Sequence, residues 1–130
     1  MKLAIIGYGR LGKAVGEAWE NAGGQVTHRI TSKDSWSADG LNCDFVVESS
    51  TPRSASKNII SCVEAGLPVI VGSTGWHSDL ALIENLVKEK NGIVFHATNF
   101  SIGVHLLNFF ASIMSNTMAA FNNYTPSIEE

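Results

Sequence analysis

The run Gly7-Tyr8-Gly9-Arg10-Leu11-Gly12 follows directly on a short apolar segment, Leu3-Ala4-Ile5-Ile6. Glycines at the first, third and sixth places of such a run have separate uses. The first permits a tight turn, the second lets a bulky anion approach the backbone, and the third lets a helix pack closely on a strand. A helix beginning near Arg10 would turn its free N–H groups and positive dipole end towards that anion. The chemistry implied is pyrophosphate binding. Placed directly after an N-terminal strand, the run points to a dinucleotide, with Tyr8, Arg10 and Leu11 carried along beside the glycines. The plain alternative is a glycine turn needed only for packing.

A second candidate lies at the end of the next strand, where a dinucleotide site selects its ribose. An acid there accepts from the ribose hydroxyls and repels a 2′-phosphate. This chain has Thr31-Ser32-Lys33, with Arg29 two positions earlier. Hydroxyls and a cation suit a 2′-phosphate, so NADPH is the expected preference over NADH. Asp34 supplies the acid if the strand runs longer, and Lys33 is otherwise a solvated loop charge. Three further polar clusters close later strands: Glu48-Ser49-Ser50-Thr51-Pro52, Gly72-Ser73-Thr74-Gly75-Trp76 and Ala97-Thr98-Asn99-Phe100-Ser101. In open parallel sheets ligands bind beyond the carboxyl ends of the strands. Three such clusters in register with the glycine turn carry more information than one.

The elements that must position these residues alternate. Leu3–Ile6 is a strand covered on both faces. A helix runs from about Arg10 to Asn21 with Leu11, Ala14, Val15, Ala18 and Trp19 on one face, and Gly23-Gly24 ends it. Residues 25–30 form a strand and 31–42 a polar, irregular stretch. Residues 44–48 form the third strand. Thr51 caps a helix with Pro52 at its first position, ending near Gly66. Residues 67–71 form a strand, and Asp79 caps a helix from Leu80 to Lys90. Residues 92–96 are the last strand of the set. Such alternation predicts an α/β fold, a Rossmann-type doubly wound parallel sheet. A final helix, about Ile102 to Phe121, is read as buried and amphipathic, with Leu106, Phe110, Ile113, Thr117 and Phe121 on one stripe. Residues 125–130 look like the beginning of another strand.

At 130 residues, 45% hydrophobic and 16% charged, the chain has the composition of a globular domain. A net charge of −3 points away from a nucleic-acid or anionic-membrane partner. The apolar stretch after Ile102 is interrupted by His105, Asn108, Ser112, Ser115 and Asn116, which argues against a membrane span. Cys43 and Cys62 match no zinc or redox spacing and read as core thiols. With no leader pattern at Met1-Lys2, a cytoplasmic location is expected. The four histidines, His28, His77, His96 and His105, match no metal or triad spacing.

The segments Gly7–Gly12, Ser50-Thr51-Pro52, Gly72-Ser73-Thr74-Gly75 and Asn99-Phe100-Ser101-Ile102-Gly103-Val104 resemble, in order and over the whole chain, those of dihydrodipicolinate reductases. The last run is the most distinctive. The family's acid-F-[ST]-x-P pattern corresponds to Glu48-Ser49-Ser50-Thr51-Pro52, with Ser49 in place of the aromatic. Its GTTG corresponds to Gly72–Gly75, with Ser73 in place of threonine. The resemblance implies reduction of a cyclic dicarboxylate with NADH or NADPH on the bacterial route to diaminopimelate and lysine. It places the pyrophosphate on Gly7–Gly12 and the nicotinamide against Gly72, Ser73 and Thr74. Ala97, Thr98, Asn99 and Phe100 would touch the nicotinamide ribose and carboxamide.

The family's HHxxKxDxPSGTA segment carries the general acid and the carboxylate-binding groups, and no such segment occurs within these 130 residues. The expected organisation is therefore a dinucleotide-binding domain over residues 1–100, then the start of a substrate and oligomerisation domain over 101–130. No catalytic residue, no metal site and no turnover are expected in this chain alone. Self-association through exposed Leu107, Phe109 and Met114 is expected where that helix lacks cover. Rivals are another two-domain nicotinamide dehydrogenase, which the Asn99–Val104 run argues against, and a non-enzymatic dinucleotide-binding module.

Overall fold

A computed structural model describes residues 1–125 and 127. The chain divides into two compact units, Met1–Thr98 and Asn99–Glu130. The first holds five strands, β1 (Lys2–Ile6), β2 (Gln25–Ile30), β3 (Phe45–Glu48), β4 (Val69–Val71) and β5 (Val94–His96), and three helices, α1 (Arg10–Asn21), α2 (Pro52–Glu64) and α3 (Leu80–Lys90). All pairings are parallel, in the order β2-β1-β3-β4-β5. The chain leaves β1 towards β2 and then crosses to β3 on the other side of β1. The switch point therefore lies between β1 and β3, where open sheets of this kind leave a crevice.

Alternation along the strands feeds two cores. Ala4, Ile6, Val46, Val69 and Val71 face one way and pack with Ala55, Ile59, Cys62 and Val63 of α2 and Ile83 of α3. Leu3, Ile5, Val26 and Val47 face the other way, against Val15 and Trp19 of α1. Continuous apolar strands are what a sheet covered on both faces requires. Cys62 lies in the first core, and burial pushes its thiol up to about 12. Half-buried Cys43 is raised for the same reason. Both are free thiols.

Several expectations change. The inward face of α1 is Gly12, Val15, Gly16 and Trp19, whereas Leu11, Ala14 and Ala18 are exposed. Choosing the face by apolarity overlooked glycine: a Cβ on Gly16 would sit 3.2 Å from Ile5 Cδ1, so the close approach of α1 to β1 requires small residues there. Thr51 precedes α2 with Pro52 in its first turn, but its side chain does not cap the helix; its hydroxyl donates to Ser54 Oγ instead. Asp79 makes no side-chain cap either, because a 3₁₀ turn, His77–Asp79, runs straight into α3. Strands β4 and β5 are shorter than their apolar runs, starting at Val69 and Val94.

The second unit contains α4 (Ile102–Met118). Ser101 caps it, its hydroxyl accepting from Val104 N. The helix was expected to be buried, but none of its residues is. Leu106, Phe110 and Ile113 are exposed as well as Leu107, Phe109 and Met114, and Phe121 falls beyond the helix end. Apolarity on all sides defined the helix without defining a buried face. Thr125 and Ser127 belong to no regular element, and the remainder of the strand expected over 125–130 lies outside the described residues. No described helix is long and apolar enough to cross a membrane.

Candidate functional site: the crevice at the carboxyl ends of β1, β2 and β3

The glycine turn is locked to two neighbouring strand ends. Gly7 N and Tyr8 N both donate to Ile30 O at 2.9 Å, at the end of β2. Ser49, at the end of β3, donates from N to Ile6 O at 2.7 Å and from Oγ to Gly7 O at 2.9 Å. Gly7 has φ +92°, and a Cβ there would lie 2.4 Å from the Ser49 carbonyl carbon and Ser50 N. Only glycine meets both demands. A Cβ on Gly12 would lie 2.4 Å from Gly7 O, so α1 could not start so close to the turn with any larger residue. Gly9 is different: a Cβ there would meet nothing within 4 Å. It faces open space.

That space is a crevice of about 420 Å³. Gly7, Tyr8 and Gly9 form one wall, and Thr31, Ser32, Asp34 and Trp36 another. Ser49, Ser50 and Thr51, with Ser54 and Asn58 of α2, form the third. Of the residues singled out in sequence, the fold thus brings together Gly7, Tyr8, Gly9, Thr31, Ser32, Asp34, Ser49, Ser50 and Thr51. Helix α1 opens onto it with no acidic residue in its first turn and no side-chain cap. Its first N–H groups and dipole are therefore left for an anion.

The other candidates sit elsewhere around the sheet edge. Arg10 and Lys33 are exposed and do not line the crevice. Leu11 and Gly72 approach each other, since a Cβ on Gly72 would be 3.0 Å from Leu11 Cδ2. Gly72 N donates to Glu48 O at 2.8 Å, which brings Gly72 beside the β3 end. Ser73 O accepts from Trp76 Nε1 at 3.0 Å, while Ser73 Oγ is buried with no partner among the described residues. Thr74 is exposed; Ala97 and Thr98 follow β5. Asn99 and Phe100 belong to the second unit. There Asn99 Oδ1 accepts from Ser101 N at 2.7 Å, and its carbonyl lies 3.0 Å from His105 Nε2. Among the described residues no group of three or more His, Cys, Asp or Glu could hold a metal.

The structure adds Asn58, which sequence reasoning did not select, and gives Glu48, Asp34 and Arg29 definite partners. Glu48 is fully buried. Its Oε1 accepts from Ser50 N at 3.1 Å, from Asn58 Nδ2 at 3.1 Å and from Ser50 Oγ. Asn58 was legible as a polar residue in the inward stripe Ala55, Ile59, Cys62 of α2. Asp34 Oδ2 accepts from Thr31 N at 2.7 Å and Thr31 Oγ1 at 2.6 Å. Those two bonds hold its carboxyl below the usual carboxylate range. Arg29, the cation read as near the selector, is committed elsewhere. It pairs with Glu20 at 2.5 Å and donates to Tyr8 Oη at 3.2 Å, and these contacts, Tyr8 first, raise its already high pKa.

Residues 23–100 match the family model described as dihydrodipicolinate reductase, N-terminus. The chain belongs to the dihydrodipicolinate reductase family. A 4-hydroxy-tetrahydrodipicolinate reductase from Christiangramia forsetii is 28% identical over 131 residues, covering 100% of this chain and 55% of that protein. One from Bifidobacterium longum is 32% identical over 124 residues, covering 86% of this chain and 48% of its own length. The chain thus spans about half the length of these curated relatives.

Among solved structures, a biliverdin reductase from Synechocystis superposes with a TM-score of 0.62 at 14% identity over 73% of this chain and 37% of that one. A probable dehydrogenase from Thermotoga maritima gives 0.59 at 18% identity, over 75% and 36%. These two show the fold: a parallel sheet with interleaved helices of the Rossmann type. The family match starts at residue 23, beyond the glycine turn, so the turn geometry and the family assignment are separate observations.

The crevice fits a dinucleotide on its own terms. Gly9 leaves room where a pyrophosphate would lie, α1 offers uncapped N–H groups, and the remaining walls carry hydroxyls and a carboxylate suited to ribose.

Proposed function

We propose that the Met1–Thr98 unit binds a reduced nicotinamide dinucleotide, and that this member of the dihydrodipicolinate reductase family is the cofactor-binding part of an NAD(P)H-dependent reductase. Its substrate is the cyclic dicarboxylate of the diaminopimelate and lysine route. The observation that carries the reading is Gly9. Gly7 and Gly12 are demanded by packing, but Gly9 is not: nothing in the fold would touch its side chain. What its smallness serves is an approach from outside.

In this reading Gly7–Gly12 and the start of α1 hold the pyrophosphate. Thr31, Ser32 and Asp34 face the adenosine ribose. Gly72, Ser73 and Thr74 line the nicotinamide side, with Ala97 and Thr98 beyond them and Asn99 and Phe100 following in the chain. Bound there, the cofactor supplies the hydride. The protein's share is to orient it and to keep the reacting face accessible. Residues 101–130 begin the substrate domain.

In this reading the substrate carboxylates are held by the family's HHxxKxDxPSGTA segment, which does not occur within these 130 residues. Orientation of that kind accounts for roughly 7–11 kcal/mol of barrier lowering, and a general acid for about a further 10²–10⁴-fold. The test is a titration of the 130-residue chain with NADH, followed by cofactor fluorescence, beside a turnover assay with freshly generated substrate. Saturable binding below millimolar concentration with no turnover above background is expected. Absence of binding would overturn the reading, and robust turnover would place the active site elsewhere than the family pattern does.

A further inference from the structure

A buried carboxylate is costly unless its hydrogen bonds are well made, so Glu48 calls for an explanation. Its Oε1 sits among three donors: Ser50 N at 3.1 Å, Asn58 Nδ2 at 3.1 Å, and the Ser50 hydroxyl. All three donors converge on Oε1, which therefore accepts, while Oε2 is buried with no partner among the described residues. The hydroxyl proton of Ser50 is therefore committed to Glu48. Asn58 Nδ2 also donates to Ser50 Oγ, at 3.1 Å. A serine hydroxyl has one proton and two lone pairs. Ser50 is left with one lone pair and no proton to offer. Ser50 and Asn58 both line the crevice, whereas Glu48 does not.

We propose that Glu48 is a positioning residue that makes Ser50 an acceptor-only group, so that this wall of the crevice takes a ribose hydroxyl of the dinucleotide and not a phosphate. The inference rests on the dinucleotide reading above and deepens it. An acceptor with no proton repels phosphate oxygens and is satisfied by a hydroxyl donor. The pyrophosphate is thereby confined to the glycine turn, where N–H groups are available, and the dinucleotide is held in one register. Asn58 stands behind Ser50 and completes the polarity.

The test uses the 130-residue chain, with ADP-ribose and inorganic pyrophosphate as probes, each displacing bound NADH. Ser50→Ala should weaken ADP-ribose about three- to tenfold, the size of one neutral hydrogen bond, and leave pyrophosphate unchanged. Glu48→Met, which keeps length but removes the acceptor, frees the Ser50 proton and should produce the same loss. Glu48→Gln retains an oxygen for the three donors and should stay within about twofold of the parent. That recovery excludes a role for the charge alone, and the loss in Glu48→Met excludes one for packing alone. If Glu48→Met does not fold, Ser50→Ala and Glu48→Gln decide between them. The proposal is overturned if Ser50→Ala leaves ADP-ribose affinity intact, if pyrophosphate weakens equally, or if Glu48→Gln loses as much as Ser50→Ala. An effect on NADH but not on ADP-ribose would assign the contact to the carboxamide and overturn it too. A parent chain that binds neither NADH nor ADP-ribose would instead sink the dinucleotide reading itself.

Discussion

Thr31 and Asp34 close a small turn at the end of β2, with the Asp34 carboxylate fixed by the amide and hydroxyl of Thr31 at 2.7 and 2.6 Å. The sequence offered two selectors there, the Lys33 cation and the Asp34 acid. The fold places Asp34 on the crevice wall and leaves Lys33 off it. A fixed carboxylate accepts from the 2′- and 3′-hydroxyls of a ribose and repels a 2′-phosphate. In place of the NADPH preference expected from Thr31-Ser32-Lys33, NADH is now predicted to bind more tightly than NADPH. Asp34→Ala should narrow the ratio of the two affinities about tenfold, an exposed charge being partly screened. Lys33→Glu should change it little. Titrations with both cofactors check this, and equal affinities in the parent chain would count against Asp34. Because Thr31 lowers the Asp34 pKa, the charged turn is favoured by folding above the ordinary carboxylate pKa. That contribution is lost only as pH falls through the lowered value.

Helices and strands were legible wherever periodicity met a turn signal. Helix α1, strand β2 and α3 run over the residues their apolar spacing and flanking glycines, threonines or lysines suggest. What the sequence concealed was which face of α1 turns inward, because Gly12 and Gly16 carry no apolar signal yet sit against β1. Sequence reasoning named Glu48 in a strand-end polar cluster but concealed its burial, which becomes clear only when Asn58 and Ser50 are seen to surround it. The glycine stripe carries a prediction of its own. Gly16→Leu should destabilise the unit by about 1–3 kcal/mol through overpacking against Ile5 and Tyr8. The denaturant midpoint would show the change, and an unchanged midpoint would mean α1 can move away from the sheet at no cost.

At the scale of the whole molecule, one unit holds the crevice beside the glycine turn and the other a helix whose apolar residues are exposed. The exposure of α4, with Leu107 at 67% and Met114 at 65%, is far more than a single stray surface residue and suits an element built to be covered by further protein. The chain belongs to the dihydrodipicolinate reductase family and spans about half the length of its curated relatives. All of this depends on the claim that the crevice at Gly9 is where the dinucleotide lies. Gly9 has φ −85°, outside the left-handed region that favours glycine, and a Cβ there would meet nothing within 4 Å, so Gly9→Val is expected to fold. The deciding measurement is the NADH affinity of Gly9→Val beside its thermal midpoint. The expected result is a midpoint within a degree or two of the parent and NADH binding weakened by about a hundredfold or more. A variant that melts like the parent and binds NADH as tightly would contradict the account.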